Sequence, residues 1–547
     1  LTGVGASAMI PLNSILTTVA VHSLVMRGGG CASASHGGDR CRMTMSRVRA
    51  ATTSEFQAQA AEGDKPSDRR LTVGRRRLLT GGSIVAASLV GQSLLGSSAL
   101  GAAGTELSVG KVDITPAVDT YLAGYGVDEP RKATGTAAPL FARCTILWHA
   151  GVPHVIVTAD VLGFARGLHR SIRSQVLALG LASENFALTA THTHNGPVLP
   201  DKLDPFISYA MNSTLQAQVR AYGEQLATKI VQLVRDTLEG PRTACTLDYQ
   251  VVDQHFSKNR ESLPYVESDV PVLTARTPGG EPLAVLFSYG CHPVVAGSQT
   301  MFDPDYPGDA VTRIEQTTGA FAQFLLGPAG DQNPAGTRGW AQRSLRGAEL
   351  AQAVTTALLR PGRPVAGPTT SHYREVSLPL DVTLTAGNLR DVSAAYAVRS
   401  NNLSLPGYYR RHARQMIAQI DAGTFATSIP VPVQSWRFAG SPDLRLLLAG
   451  GEIVSGYAVY FRARYGTSSQ LMFAGYANEV PAYLPSDELL RRPATYAGGI
   501  DTDFPGIAGG SMTVYGWLGH LKGKPTAASP DGAEQILIRA IAAALAA

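Results

Sequence analysis

The stretch that most constrains this chain is an apolar pentapeptide, Phe186-Ala187-Leu188-Thr189-Ala190, that runs directly into Thr191-His192-Thr193-His194-Asn195-Gly196-Pro197. The apolar run has the length of a buried strand. If strand geometry continues through it, His192 and His194 lie two residues apart on one face, and two imidazoles share one small volume. That is the beginning of a metal site. The Gly-Pro pair then ends the strand, which is where an open site on a rigid scaffold is expected. Histidines at a strand end are equally met as satisfied polar residues, so the pair alone leaves both readings open.

Further along, apolar runs repeatedly deliver polar residues into Gly/Pro loops. Leu283 to Tyr289 ends in Gly290-Cys291-His292-Pro293, and Phe321 to Leu326 runs into Gly327-Pro328-Ala329-Gly330-Asp331-Gln332-Asn333-Pro334. Leu444 to Leu448 leads to Gly450-Gly451-Glu452, where Glu452 is expected to open a helix reaching about Tyr465. Catalytic zinc takes about three His or carboxylate ligands and keeps a position for water. His192, His194, His292 and Glu452, each following a strand, are the candidates. Against this, Glu452 reads as an acid placed on a helix dipole, and His292 as a turn histidine. Asp160, also at a strand end, is either a carboxylate orienting an imidazole or a plain turn acid. No Gly-x-Ser-x-Gly elbow, His-Glu-x-x-His pair or Walker loop offers a rival chemistry.

Strand and helix patterns alternate from Leu107 to the end, which predicts an α/β (mixed α+β) protein. The expectation is one large catalytic domain over residues 105–547, of mixed sheets with flanking helices. The punctuated stretch Arg360-Pro361-Gly362-Arg363-Pro364 marks either a break between two lobes near 360–368 or a surface loop. Of five cysteines, only Cys144, Cys245 and Cys291 lie past the leader, and no Cys-x-x-Cys pair suggests structural zinc.

The net charge of +5 is no argument for a nucleic-acid partner, and none is expected. Residues 1–103 hold eleven Lys and Arg against five Asp and Glu, a surplus of six, so the remainder carries 5 − 6 = −1. Within residues 71–104, Arg75-Arg76-Arg77 precede an uncharged, weakly apolar stretch from Gly81 to Leu100 and then small residues. This reads as a twin-arginine export signal, the alternative being a membrane anchor. It predicts a periplasmic or extracellular protein, or an organellar lumen in a eukaryote. Residues 1–70 show no sustained period and read as a disordered leader or as sequence ahead of a later start at Met43 or Met45.

Ala190-Thr191-His192-Thr193-His194-Asn195-Gly196-Pro197 resembles the Thr-His-Thr-His-Ser-Gly-Pro signature of the neutral ceramidases, zinc amidases that split ceramide into sphingosine and a fatty acid. Five other segments stand in the family's order: Val109 to Pro116, Asn259-Arg260, Ala284 to Pro293, Gly330-Asp331-Gln332-Asn333-Pro334, and Gly450-Gly451-Glu452. Ala474 to Tyr483, with Tyr496 beyond it, is similar to the segment that carries the family's zinc tyrosine.

The resemblance implies Zn2+ held by His192, His292, Glu452 and Tyr483. His194 would then either stand behind the metal ligands or serve as a proton shuttle, with Arg260 and Tyr496 holding the substrate carbonyl or its oxyanion. Asp331 and Asn333 would fall among the catalytic residues, with Asn333 standing where the family has a serine. The implied activity is zinc-dependent hydrolysis of a linear amide in ceramide or a related N-acyl lipid, with transient contact at a membrane surface. The chain ends about fifty residues past Tyr496, so the family's C-terminal β-sandwich is not expected. A metal-dependent esterase or lactonase on the same scaffold, and a silent binding protein, are the alternatives. The segment Leu199 to Leu215 is expected to act as a lid over an acyl channel.

Overall fold

Two sheets lie face to face between outer helices. The computed structural model describes residues 104–547 except 118–119, 126–130, 201–209, 383–385, 493–494 and 524–530. The leader, its twin-arginine stretch and most of the expected lid therefore lie outside the described residues. The first sheet is built from β1 (Thr105–Asp113), β2 (Phe141–His149), β3 (Val152–Ala159), β4 (Phe186–Ala190) and β5 (Thr243–Ala244), in the order β4-β3-β2-β1-β5. Only β3 and β4 run parallel. The second sheet contains β6 (Thr246–Asp253), β7 (Asp269–Arg276), β8 (Pro282–Tyr289), β9 (Phe321–Leu326), β10 (Arg363–Pro379), β11 (Ser428–Gly440), β12 (Leu444–Ala449) and β13 (Leu471–Ala474). Its order is β9-β8-β7-β6-β10-β11-β12-β13, antiparallel except for the end pairs β8/β9 and β12/β13.

Period-two alternation explains the layering. In β12, Leu446 and Leu448 join Ile156, Ala187, Leu286 and Trp436 in the core between the sheets, whereas Leu447 and Ala449 face outward. In β8, Ala284 and Leu286 point inward and Val285 and Phe287 outward. Because both faces of these strands are buried, their sequences read as continuous apolar runs rather than as alternation. Outside the first sheet pack α1 (Arg166–Leu177) and α2 (Ser213–Glu239), through Ile172, Val176, Leu226 and Ile230. Outside the second sheet, α3 (Asp305–Thr318) and α4 (Trp340–Leu358) cover one half. The other half is covered by α7 (Ser455–Tyr465) and α9 (Ala533–Ala546). Between these in sequence lie α5 (Ala386–Asn401) and α6 (Gly407–Ala422), which pack on each other, and the short α8 (Gly510–Tyr515). The result is a four-layer αββα arrangement, mixed α+β as expected.

Three expectations need correction. β10 pairs with β6 at one end and β11 along its length, so residues 360–368 pass into the central sheet and do not divide two lobes. β4 stops at Ala190, and His192 adopts a left-handed φ of 64°, so strand alternation does not align the two histidines. Glu452 does not open a helix. It pairs with Tyr483 in a two-residue parallel ladder, Glu452–Ile453 on Tyr483–Leu484, and α7 begins three residues later. The free cysteines Cys144, Cys245 and Cys291 are all buried.

Candidate metal centre and active site

The site forms where strand ends of both sheets meet. The first sheet supplies residues 191–194 after β4. The second supplies Gly290-Cys291-His292 after β8, Gly330-Asp331 after β9, Glu452 after β12 and the 475–483 segment after β13. The seam is stitched by backbone hydrogen bonds: Ala190 N donates to Tyr476 O (3.3 Å) and Asn478 N to Leu188 O (2.5 Å). Tyr476 and Asn478 hold positive φ values of 54° and 62°, a backbone cost that the surrounding bonds offset. Glu452 is drawn in by its N–H donating to Ala482 O (2.9 Å), and the Gly451 N–H donates to Glu479 O (2.8 Å). At Gly330 a Cβ would sit 2.4 Å from Glu452 O, so only glycine lets the 330 loop lie against this strand.

At the centre, His192 Nε2 lies 3.1 Å from His292 Nε2, 3.3 Å from His194 Nε2 and 3.2 Å from Glu452 Oε2. His292 Nε2 is 3.3 Å from the same Glu452 oxygen. All four side chains are buried. The tautomers are set by the outer partners. His192 Nδ1 faces Leu162 O (2.5 Å) and His292 Nδ1 faces Ala329 O (2.8 Å). A carbonyl only accepts, so both Nδ1 atoms carry the proton and both Nε2 atoms present lone pairs. Two lone pairs and a carboxylate oxygen therefore converge with no proton among them. That arrangement repels itself unless a cation lies between. The spacing suits one, since a tetrahedron with bonds of 2.0–2.1 Å has edges of about 3.3–3.4 Å. Metal-binding histidines characteristically anchor the far ring nitrogen on a carbonyl or carboxylate, as these two do.

His194 belongs to the same trio of ligand atoms, which lie within 4.8 Å of one another. Its anchoring differs: Nδ1 is buried and without a hydrogen-bond partner among the described residues. The ring is held instead by packing, edge-on to Tyr125 at 5.2 Å, and by Arg131, which donates to the His194 carbonyl at 2.6 Å. Burial lowers the His292 imidazole to about 4 against the opposing pull of Glu452. Burial, then the neighbouring imidazoles, holds His194 well below its ordinary value. The His292 and His194 rings are thus neutral near neutral pH.

Tyrosines surround the carboxylate. Tyr515 donates to Glu452 Oε1 at 2.5 Å and Tyr476 to Oε2 at 3.2 Å. The Tyr483 phenol lies beside both Glu452 and Arg260. Burial lifts all three phenols well above their ordinary value, so they are protonated donors. The Arg260 guanidinium lies about 5 Å over the rings of both Tyr483 (5.2 Å) and Tyr496 (5.1 Å) and donates to Gly330 O at 2.8 Å. A cavity of about 150 Å³ opens onto this base. Arg260, Asn333, Tyr483, Tyr496 and Tyr515 border it together with the three histidines and Glu452, and apolar side chains such as Leu162, Phe164, Val198 and Val480 form its walls. From the expected lid, Leu199 and Pro200 reach the cavity.

No protein-family model and no curated protein matches the chain. Solved structures do. The neutral ceramidase from Pseudomonas aeruginosa superposes with a TM-score of 0.54 at 18% identity, covering 76% of this chain and 73% of that one. A ceramidase complexed with C2 gives 0.55 at 18% identity, covering 76% and 74%. The chain has the fold of the neutral ceramidases.

Within this ceramidase fold, eight of the nine site residues implied by the family resemblance border one cavity: His192, His194, His292, Glu452, Tyr483, Arg260, Tyr496 and Asn333. Asp331 is the exception. Its carboxylate accepts from the Ser455 N–H and hydroxyl (both 2.8 Å), Asn259 Nδ2 (2.7 Å) and Gln332 Nε2 (3.2 Å), so it braces the loops that carry Arg260 and Glu452. Asp160 likewise braces: it accepts from Phe141 N (2.9 Å) and Thr191 Oγ1 (3.2 Å), behind the histidine motif. Sequence reasoning misses Tyr476, Tyr515 and Arg131. Tyr476 sits inside a quoted motif, whereas nothing in the local pattern around Tyr515 marks it.

Proposed function

We propose that the protein is a zinc-dependent amidohydrolase of the neutral ceramidase type, cleaving the amide of ceramide or a related N-acyl lipid. The observation that carries this reading is the convergence of two carbonyl-anchored imidazoles and one carboxylate oxygen, with no proton between them, at the base of an apolar-walled cavity. His192, His292 and Glu452 would hold the cation, with Tyr483 beside them. When bound, it supplies Lewis acidity toward a carbonyl and makes water a nucleophile near neutral pH.

The chain's own residues supply the rest. His194, neutral and with a free Nδ1, is placed to take a proton from water and return it to the leaving amine. Arg260 is a fixed buried cation, and with the Tyr483 and Tyr496 hydroxyls and the Asn333 side chain it faces the space where a carbonyl oxygen would gain charge. The apolar walls suit an acyl chain and keep water from the base. Export through the twin-arginine leader belongs to the same reading. Among the described residues no helix is long and apolar enough to cross a membrane.

The deciding experiment is metal analysis of the purified protein beside a panel of N-acyl sphingosine, N-acyl amino acid and ester substrates. One zinc per chain and amide hydrolysis lost to a chelator and to His192→Ala are the expected results. A preference for short esters would favour the esterase reading. Absence of both metal and turnover would favour a binding protein.

A further inference from the structure

We infer that Tyr515 is a positioning residue for the metal centre: its hydroxyl occupies one oxygen of Glu452 so that only the other faces the two imidazoles. The inference rests on the metal reading above and adds a residue from beyond Tyr496, the last of the family-like positions named in the sequence. Glu452 has two oxygens in unlike surroundings. Oε2 accepts the Tyr476 hydroxyl at 3.2 Å and lies 3.2 Å from His192 Nε2 and 3.3 Å from His292 Nε2, whereas Oε1 faces no imidazole and accepts the Tyr515 hydroxyl at 2.5 Å. A carboxylate accepts and never donates, so the phenol proton points at Oε1. This fixes the rotation of the carboxylate plane and gives Oε1 a partner, so Oε2 would be the oxygen offered to a cation held with the two imidazoles.

The phenol is held for that task. Tyr515 closes the short helix α8, which stops at the left-handed Gly516. The helix start is tied to the Tyr496 loop by Ser511 N donating to Tyr496 O (3.1 Å), and a Cβ at Gly510 would lie 2.8 Å from that same carbonyl. Just past the helix, Trp517 Nε1 donates to Pro481 O at 2.9 Å, joining this segment to the one that carries Tyr483. The Tyr515 ring also packs edge-on to Tyr483 at 6.1 Å. A phenylalanine at 515 keeps these ring contacts and removes only the donor.

The test is zinc affinity of the full chain by chelator competition, with cobalt(II) as a spectroscopic probe. In Tyr515→Phe, zinc binding is expected to weaken by about 10–100-fold, the range for lost outer partners of metal ligands. The melting temperature of the metal-free protein should be unchanged, and the cobalt visible band should weaken as the freed carboxylate offers its second oxygen. Tyr496→Phe, whose hydroxyl faces the cavity, should lose turnover and keep zinc affinity. Equal zinc affinity and an identical cobalt spectrum in wild type and Tyr515→Phe would overturn the inference while leaving the metal reading intact. A wild-type protein that takes up no zinc would overturn the metal reading and this inference with it. A melting temperature that falls in the metal-free variant in step with affinity would reduce Tyr515 to a packing residue.

Discussion

Two buried polar clusters less than one loop apart are built on opposite plans. Around Asp331, every oxygen has donors: the Ser455 N–H and hydroxyl, Asn259 Nδ2 and Gln332 Nε2. Around His192 and His292, acceptors face acceptors. Buried polar groups are normally satisfied, because an unpartnered one costs about 1–3 kcal/mol. The saturated cluster therefore reads as scaffold. The unsaturated one carries the metal site proposed above. The two acids, Asp331 and Glu452, each come after a strand and a glycine, and only their partners tell them apart.

The largest expected effect tests that contrast directly. His292→Ala removes one converging lone pair, so zinc content should fall to background and hydrolysis with it; retained zinc at full stoichiometry would break the contrast. Next, Arg260→Lys keeps the charge but not the planar fork, and turnover should drop about 10²–10³-fold, the cost typical of losing an oxyanion donor. A smaller effect belongs to the scaffold. Asp331→Asn turns an N–H₂ toward donors, which should lower unfolding stability by about 1–3 kcal/mol in urea while zinc still binds. If zinc is lost and stability kept, the roles assigned to the two clusters are reversed.

The smallest effect concerns a histidine buried elsewhere. His412 bonds Trp517 O through Nε2 at 2.9 Å, and burial, then the nearby Arg399, lowers its imidazole to about 3. In the unfolded chain it titrates near 6.5, so below that pH the unfolded state binds the extra proton and the fold loses stability as pH falls. Between pH 6.5 and 5 the loss should be about 2 kcal/mol, and His412→Gln should flatten the slope. An unchanged slope would show that this ring is protonated in the fold.

How much of this is legible in the sequence depends on the kind of signal. Strands buried on both faces, such as β8 and β12, show as apolar runs, and the polar residues just past those runs include His292 and Glu452. β11 escapes the pattern because Pro430 and Pro432 argue against a central strand. They are tolerated because β12 pairs only with residues 433–438, leaving the edge at 428–432 paired to β10 alone. Strand alternation predicts the convergence of His192 and His194 but not its cause: the left-handed turn at His192 brings the rings together. The partners that separate brace from site, at Asp331, Asp160 and Tyr515, come from segments remote in sequence, so no local pattern could announce them.

Because His192 hangs from one sheet while His292 and Glu452 hang from the other, the proposed ion-binding set is divided between layers. A fragment comprising either sheet by itself would keep at most two of the three donors, an open-ended chelate with little grip. Prying the layers apart would spill the cargo before either half had unravelled, which makes release of the ion an early alarm for damage to the whole molecule.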